Sequence, residues 1–141
     1  MNEKNRLLVA RSLIGLVTFW NLQAALAFTS QPHGYTAGFE LSGEPGAVAV
    51  RGTGILFLMW SVPYLAAVWH PYKYCLALKL ALTMQLIGLV GEAVILVTLS
   101  QEHSLLRTSI TRFVAFDASG LFLLLIAFWS VSQGIVKKRG A

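Results

Sequence analysis

The chain has 141 residues, of which 56% are hydrophobic and 12% are charged, and its mean hydropathy is +0.67. Soluble domains carry about 25% charged residues, so this composition leaves too few charges for a water-facing surface. It argues strongly against a soluble enzyme or a disordered protein and indicates a membrane protein. The net charge of +5 does not indicate nucleic-acid binding, because the 11 lysines and arginines are scattered singly or in short clusters.

Four apolar segments are each long enough to cross a bilayer as a helix, which takes about 20 mostly apolar residues. They cover residues 7–28, 48–69, 75–99 and 110–134. The sequence therefore predicts a single domain over residues 1–141, an all-α four-helix transmembrane bundle. Pro63 is expected to kink the second span. Tyr64, next to it, is grouped with the aromatic residues that favour the membrane interface.

The first span has a second interpretation, a cleaved signal peptide. A basic start ending at Arg11, an apolar stretch, and small residues at Ala25 and Ala27 fit cleavage after Ala27, which would leave three spans. The apolar run is long for a signal peptide. We therefore favour an uncleaved helix.

The connections between the spans differ in length. The first, residues 29–47, is the longest and contains two turn-forming sequences, QPHG and SGEPG. Residues 35–41 between them are expected to form either a short extended piece or a cap over the bundle mouth. The second and third connections are short, so the helices they join should be antiparallel neighbours.

The basic residues predict the orientation of the bundle. Four spans place both termini on the same side as the connection between spans two and three. That side holds eight basic residues, namely Lys4, Arg6, Arg11, Lys73, Lys79, Lys137, Lys138 and Arg139. The opposite side holds three, namely Arg51, Arg107 and Arg112. The positive-inside rule then makes both termini cytoplasmic.

Two acidic residues lie inside the predicted spans, where an ionisable side chain costs about 2.5–3.5 kcal/mol. Glu92 lies seven residues before the outer end of span three, and Asp117 lies seven residues after the outer start of span four. At about 1.5 Å per residue, both lie roughly 10 Å deep on neighbouring helices. Asn21 reaches a similar depth in span one. Arg51 enters span two just above this level.

The helical spacing of these residues predicts that they face one pocket. Gln85 lies on the same face of its helix as Glu92, and a glycine lies close to each acid in the helix. Arg51 is the preferred counter-ion for one of the carboxylates, and Arg112 is the second choice. The candidate ligand-binding or proton-site residues are Asn21, Arg51, Gln85, Glu92, Arg112 and Asp117. Two explanations stay open for this layer, an interhelical lock or a site for a ligand or proton.

Other chemistry has little support in the sequence. Histidine and glutamate residues occur on the outer side, at His33, His103, Glu40, Glu44 and Glu102, but without a spaced metal-ligand motif. No metal site and no catalytic residue are predicted. The single cysteine, Cys75, allows no internal disulfide and no cysteine zinc site.

The chain's size, its long first outer loop and the sequence GAVAVRGTG at residues 46–54 resemble the DoxX-like group of small four-helix membrane proteins. The resemblance covers most of the chain as a pattern of spans and small residues. Some members of that group are associated with sulfur-compound oxidation coupled to quinone, so the resemblance implies a quinone-linked redox role. The chain offers no recognisable quinone or haem motif, and no catalytic residues are carried over.

The sequence therefore predicts an integral protein of the cell membrane with a non-catalytic role. We expect it to bind a small amphipathic ligand, a lipid or a partner subunit through a polar pocket in the outer leaflet. The alternatives are a small proton- or cation-coupled transporter and a quinone-linked subunit of a redox complex. Other membrane subunits or a second copy of the chain are candidate partners. From the residues themselves, no cofactor is predicted.

Overall fold

The computed structural model describes residues 2–139 of the chain, with side chains as far as residue 134. Four long helices dominate it: α1 (Glu3–Ser30), α3 (Gly43–Trp69), α4 (Cys75–Thr98) and α5 (Ser104–Arg139). Each is long and apolar enough to cross a membrane. The described residues contain no strand. The predicted all-α four-helix bundle is confirmed.

The long helices form a ring in which each packs against two others. The contacts run α1 to α3, α3 to α4, α4 to α5, and α5 back to α1. The predicted neighbours are confirmed, and the contact between α1 and α5 closes the bundle. Large buried side chains from all four helices fill the centre, including Ile14, Tyr64, Leu78 and Leu124. The outward faces are also apolar, as in helices that face lipid.

The helices extend beyond the predicted apolar segments. The apolar segments begin at residues 48 and 110, whereas α3 and α5 begin at Gly43 and Ser104. Hydropathy locates the apolar stretch, whereas a helix continues into polar residues as long as its backbone groups find partners. At one such end, Arg107 Nη1 donates hydrogen bonds to the carbonyl oxygens of Leu96, at 3.1 Å, and Leu99, at 2.7 Å. The final carbonyls of α4 are thereby satisfied.

The first connection forms a helical cap, which we define as residues 31–42. It contains the short helix α2 (His33–Thr36) and a 3₁₀ turn (Ala37–Phe39) that pack against α3 and α5. The extended piece considered from the sequence is therefore wrong, and the cap is the form observed. No strand lies beside this segment in the described part of the chain, so local helical hydrogen bonds satisfy its backbone. We call this end of the bundle the cap end.

The helices α1 and α3 approach each other closely at Gly54. A Cβ atom there would lie 2.6 Å from Thr29 Oγ1 and 2.9 Å from the Ala25 carbonyl oxygen. Two residues earlier in the same helix, a Cβ on Gly52 would meet nothing within 4 Å. Small residues at a helix contact allow the backbones to come close enough for extensive van der Waals packing in a membrane. Gly54 is thus part of the α1–α3 contact, while Gly52 is not.

We expect Gly54→Ala to lower the thermal unfolding midpoint of the detergent-solubilised protein. The added methyl group pushes against the α1 backbone, and overpacking of this kind costs about 1–3 kcal/mol. The matched control is Gly52→Ala, which should leave the midpoint unchanged or raise it, because alanine favours a helix over glycine. Circular dichroism during heating measures both. Equal shifts in the two variants would contradict the close approach at Gly54.

Candidate functional site

Polar side chains from all four long helices meet in the middle of the bundle. The Tyr64 hydroxyl donates to Gln85 Oε1 at 2.6 Å, and Gln85 Nε2 donates to Asp117 Oδ1 at 2.7 Å. The Asn21 side chain lies beside the Tyr64 hydroxyl and interacts with it. We call Asn21, Tyr64, Gln85 and Asp117 the four-helix network, because α1, α3, α4 and α5 each supply one member.

The network is enclosed by apolar side chains and small residues. Tyr64 and Gln85 are each only 3% exposed, so their polar atoms need partners inside the protein. Two glycines make room for these side chains. A Cβ on Gly88 would overlap Asp117 Oδ2, and a Cβ on Gly120 would lie 2.7 Å from Gln85 Nε2. The glycines near the acids thus serve a close side-chain approach between α4 and α5.

Three of the six predicted site residues, Asn21, Gln85 and Asp117, meet in this network. Glu92 lies beside it, close enough to Asp117 for an electrostatic interaction. It lies seven residues after Gln85 on α4, about 10 Å nearer the cap end. Its Oε2 atom is buried and has no hydrogen-bond partner among the described residues. Glu92 therefore adjoins the network without being bonded to it.

The expected pairing of an arginine with an acid is wrong. Neither Arg51 nor Arg112 forms an ion pair with a described acid, whereas His33 pairs with Glu44 and His103 with Glu40. Both Arg51 and Arg112 are exposed. The amide of Gln85, rather than a guanidinium group, satisfies the Asp117 carboxylate. The predicted equal depth of Glu92 and Asp117 is also wrong: Asp117 lies level with Gln85, because α5 begins at Ser104, before its apolar segment.

Tyr64 was missed as a site residue because aromatic residues in spans were assigned to the interface. It lies in the core instead, one residue after Pro63. A signal was present in the sequence: Ser61 and Ala67, three residues before and after Tyr64, are small and both are buried. A face of small residues around one tyrosine indicates a helix contact with a polar group in it.

A second feature is a groove between α1 and α5 beneath the cap, with a volume of about 690 Å³. We call it the α1–α5 groove. Six of its 14 lining residues are aromatic, namely Trp20, Phe28, Tyr35, Phe39, Phe113 and Phe116. Its polar members are Gln23, Ser109, Arg112 and Ser119, so that one lining residue carries a charge. Ligand sites in proteins commonly occupy about 300–1,000 Å³ and combine apolar walls with a few polar groups.

The network and the groove use adjacent faces of the same helical turns. Trp20 precedes Asn21 in α1, and Phe116 precedes Asp117 in α5. Consecutive residues point about 100° apart around a helix, so each network residue has a groove residue beside it. The ring centroids of Trp20 and Phe116 lie 5.8 Å apart across the groove. The polar contacts in the core thereby fix the rotation of α1 and α5 about their own axes, and with it the direction of the side chains that line the groove.

The cap is fastened to the start of α5 by three polar contacts. Glu40 accepts a hydrogen bond from the Leu106 backbone N–H at 3.2 Å and lies 2.5 Å from His103 Nδ1. Ser109 Oγ donates to the Gly38 carbonyl oxygen at 2.6 Å. We call the Glu40–His103 pair the clasp. Glu40 also satisfies a first-turn N–H of α5, which has no partner within its own helix.

The clasp changes the titration of both its members. The hydrogen bond from His103 lowers the pKa of Glu40 below its ordinary value of 4.5. The same bond, helped by the charges of Glu40 and Glu102, raises the pKa of His103 above its ordinary value of 6.5.

Metal binding has no support here, because the described residues contain no group of three or more side chains that could hold a metal ion.

Comparisons with protein-family models, curated proteins and solved structures find no match for this chain. The resemblance to DoxX-like proteins stays a prediction. The assignment of function therefore rests on the site itself.

We expect Gln85→Leu to destabilise the protein by about 1–2 kcal/mol, because Tyr64 and Asp117 each lose a partner in the core. The matched control is Gln133→Leu, since Gln133 is exposed on α5 and its replacement leaves the network intact. Unfolding midpoints in detergent measure the two effects. A midpoint for Gln85→Leu equal to that of the control would show that the network does not hold the helices together.

We expect the stabilising effect of the clasp to depend on pH. Because the pKa of Glu40 is lowered, its contribution is present above pH 4.5 and is lost as the pH falls through the lowered value. Because the pKa of His103 is raised, its contribution is complete below pH 6.5 and is lost as the pH rises through the raised value. The difference in unfolding midpoint between wild type and His103→Gln should therefore be largest between pH 4.5 and 6.5.

The control for this measurement is His33→Gln, which removes the looser 3.5 Å pair with Glu44. Its difference from wild type should vary much less with pH, since that pair is more exposed to solvent. A flat profile for His103→Gln across the whole range would contradict the clasp.

Proposed function

We propose that this protein is an integral membrane protein that binds a small amphipathic ligand in the α1–α5 groove. The observation that carries the proposal is the composition of the groove, a cavity of about 690 Å³ with aromatic walls and one charged side chain. If the space between α1 and α5 served helix packing alone, we would expect aliphatic side chains to fill it. A cavity that combines an apolar wall with a few polar groups suits a ligand with an apolar body and a polar end.

The four-helix network supports this proposal as a scaffold. Of the two explanations left open by the sequence, the hydrogen bond between Gln85 and Asp117 and the proximity of Asn21 to Tyr64 support the lock for these residues. Ligand binding then belongs to the adjacent groove, which includes Arg112 from the predicted set. Arg51 lines neither the α1–α5 groove nor a second, smaller cavity at the start of α5. A rigid scaffold behind a binding wall is a general way to keep a site in shape.

The orientation and location of the site are part of the same proposal. The excess of basic residues at the end opposite the cap favours cytoplasmic termini in the cell membrane. The groove would then open in the outer half of the bilayer, where an amphipathic molecule reaches it from the lipid or from the outer solution. The role is non-catalytic, and a quinone, as implied by the DoxX-like resemblance, is one member of the amphipathic class.

Proton or cation coupling is a second candidate function. One observation favours it: the buried Oε2 atom of Glu92 has no hydrogen-bond partner among the described residues and interacts electrostatically with Asp117. Intramembrane acids in such a position mark proton and ion pathways in other membrane proteins. The groove remains the better-supported site, because it offers space for a ligand as well as polar groups.

We expect a fluorescent single-chain amphipath, 11-(dansylamino)undecanoic acid, to bind the detergent-solubilised protein saturably with about one site per chain. Ala24 lines the groove, so Ala24→Phe should fill the cavity and weaken binding at least about tenfold, equivalent to 1.4 kcal/mol. Energy transfer from the tryptophans to the dansyl group measures the occupancy.

The matched control is Ala49→Phe, because Ala49 is exposed on α3 and lines no described cavity. It should bind the probe like wild type. Binding that rises linearly without saturation, or that is equally weak in both variants, would contradict a site in the groove.

A further inference from the structure

We infer that Arg112 makes the α1–α5 groove selective for a single-chain amphipath with an anionic head group, a carboxylate or a phosphate. This inference rests on the proposed function and assigns the chemical class of its ligand. It starts from a cation that the structure leaves without a counter-charge.

Arg112 has no hydrogen-bond, ion-pair or aromatic-ring partner within the described part of the chain. The carboxylates that might have paired with it are engaged or lie elsewhere. Asp117 accepts from Gln85, and Glu40 is held by His103 and Leu106. An arginine within an apolar span is expensive unless an anion or water meets it. The guanidinium group is thus available to a ligand.

The position of Arg112 suits the head of an amphipath. It lines the α1–α5 groove and also a second, shallower cavity of about 410 Å³ at the start of α5. That second cavity is polar, with Gln101, Ser104 and Thr108 among its lining residues. An anionic head at Arg112 would therefore meet polar groups on one side, while its chain follows the aromatic wall on the other. The fork of N–H donors on arginine matches a carboxylate or phosphate.

The volume of the groove favours one chain over two. At about 690 Å³ it lies within the range of sites for single small ligands. Phe39 of the cap lines the groove, and its ring stacks on that of Phe113 with centroids 6.0 Å apart. The one charged lining side chain, Arg112, provides for one head group. A two-chain phospholipid of the surrounding bilayer is the competing occupant.

The other arginines of the cap end differ from Arg112 in ways that provide controls. Arg107 is committed to the carbonyl oxygens at the end of α4. Arg51 is exposed and has no ion-pair partner among residues 2–134, but it lines neither cavity. Arg51→Gln therefore removes the same charge from the same end of the bundle without touching the groove.

The test compares 11-(dansylamino)undecanoic acid with its methyl ester, which has the same chain and no charge. We expect wild type to bind the acid about tenfold more tightly than the ester, a typical effect of a charge-assisted hydrogen-bonded pair. Arg112→Gln should bind both forms with the affinity that wild type shows for the ester. Arg112→Lys should keep part of the preference, and Arg51→Gln should keep all of it.

Equal binding of acid and ester by wild type would overturn the inference and leave the proposed function intact. An unchanged acid preference in Arg112→Gln would overturn it as well. If neither probe binds saturably, the proposed function fails, and the inference fails with it.

A second arm separates the two kinds of occupant. The acid is titrated into nanodiscs of phosphatidylcholine with and without phosphatidylglycerol. Similar acid affinity in both supports a single-chain ligand. Strong competition by phosphatidylglycerol that disappears in Arg112→Gln would assign the site to a two-chain lipid and overturn the single-chain part of the inference.

Discussion

The amide of Gln85 links three helices at one point of the bundle, and the rest of the structure depends on this contact. Its oxygen accepts from Tyr64 of α3, and its nitrogen donates to Asp117 of α5. Inside a bilayer, apolar surfaces gain little by leaving lipid, so helix association relies on close packing and on polar contacts. The network supplies the polar contacts. Gly88 and Gly120 supply the space in which they form.

This contact also determines the geometry of the surface on which the proposed ligand would lie. Asn21 and Asp117 are directly preceded by Trp20 and Phe116, so fixing the first pair in the core orients the second pair toward the groove. The interhelical lock and the ligand site, which compete as explanations when only the sequence is known, occupy different faces of the same helices. A polar residue in a span can thus serve a neighbouring site without lining it.

The number of helices and their neighbours could be predicted from the sequence, because these follow from apolar length and short connections. Gln85 was found through its helical spacing from Glu92, and Asn21 and Asp117 through their position in their spans. The equal depth of Glu92 and Asp117 was wrong, because the first polar turns of α5 place Asp117 level with Gln85. Depth does not give rotation about the helix axis, which explains why the arginine pairing was wrong and Tyr64 was misplaced. The groove could not be predicted from the sequence, because its lining residues come from α1, α5 and the cap together. The clasp joins residues 40 and 103, which no local pattern connects.

Glu40 has one more consequence, for how the two halves of the chain are joined. Its carboxylate accepts a hydrogen bond from a backbone N–H in the opening turn of α5, 66 positions later in the chain. The hairpin of α1 and α3, which carries the cap, thus completes the first turn of a helix that belongs to the hairpin of α4 and α5. A chain divided between α3 and α4 would leave that N–H without its acceptor until the two fragments associate.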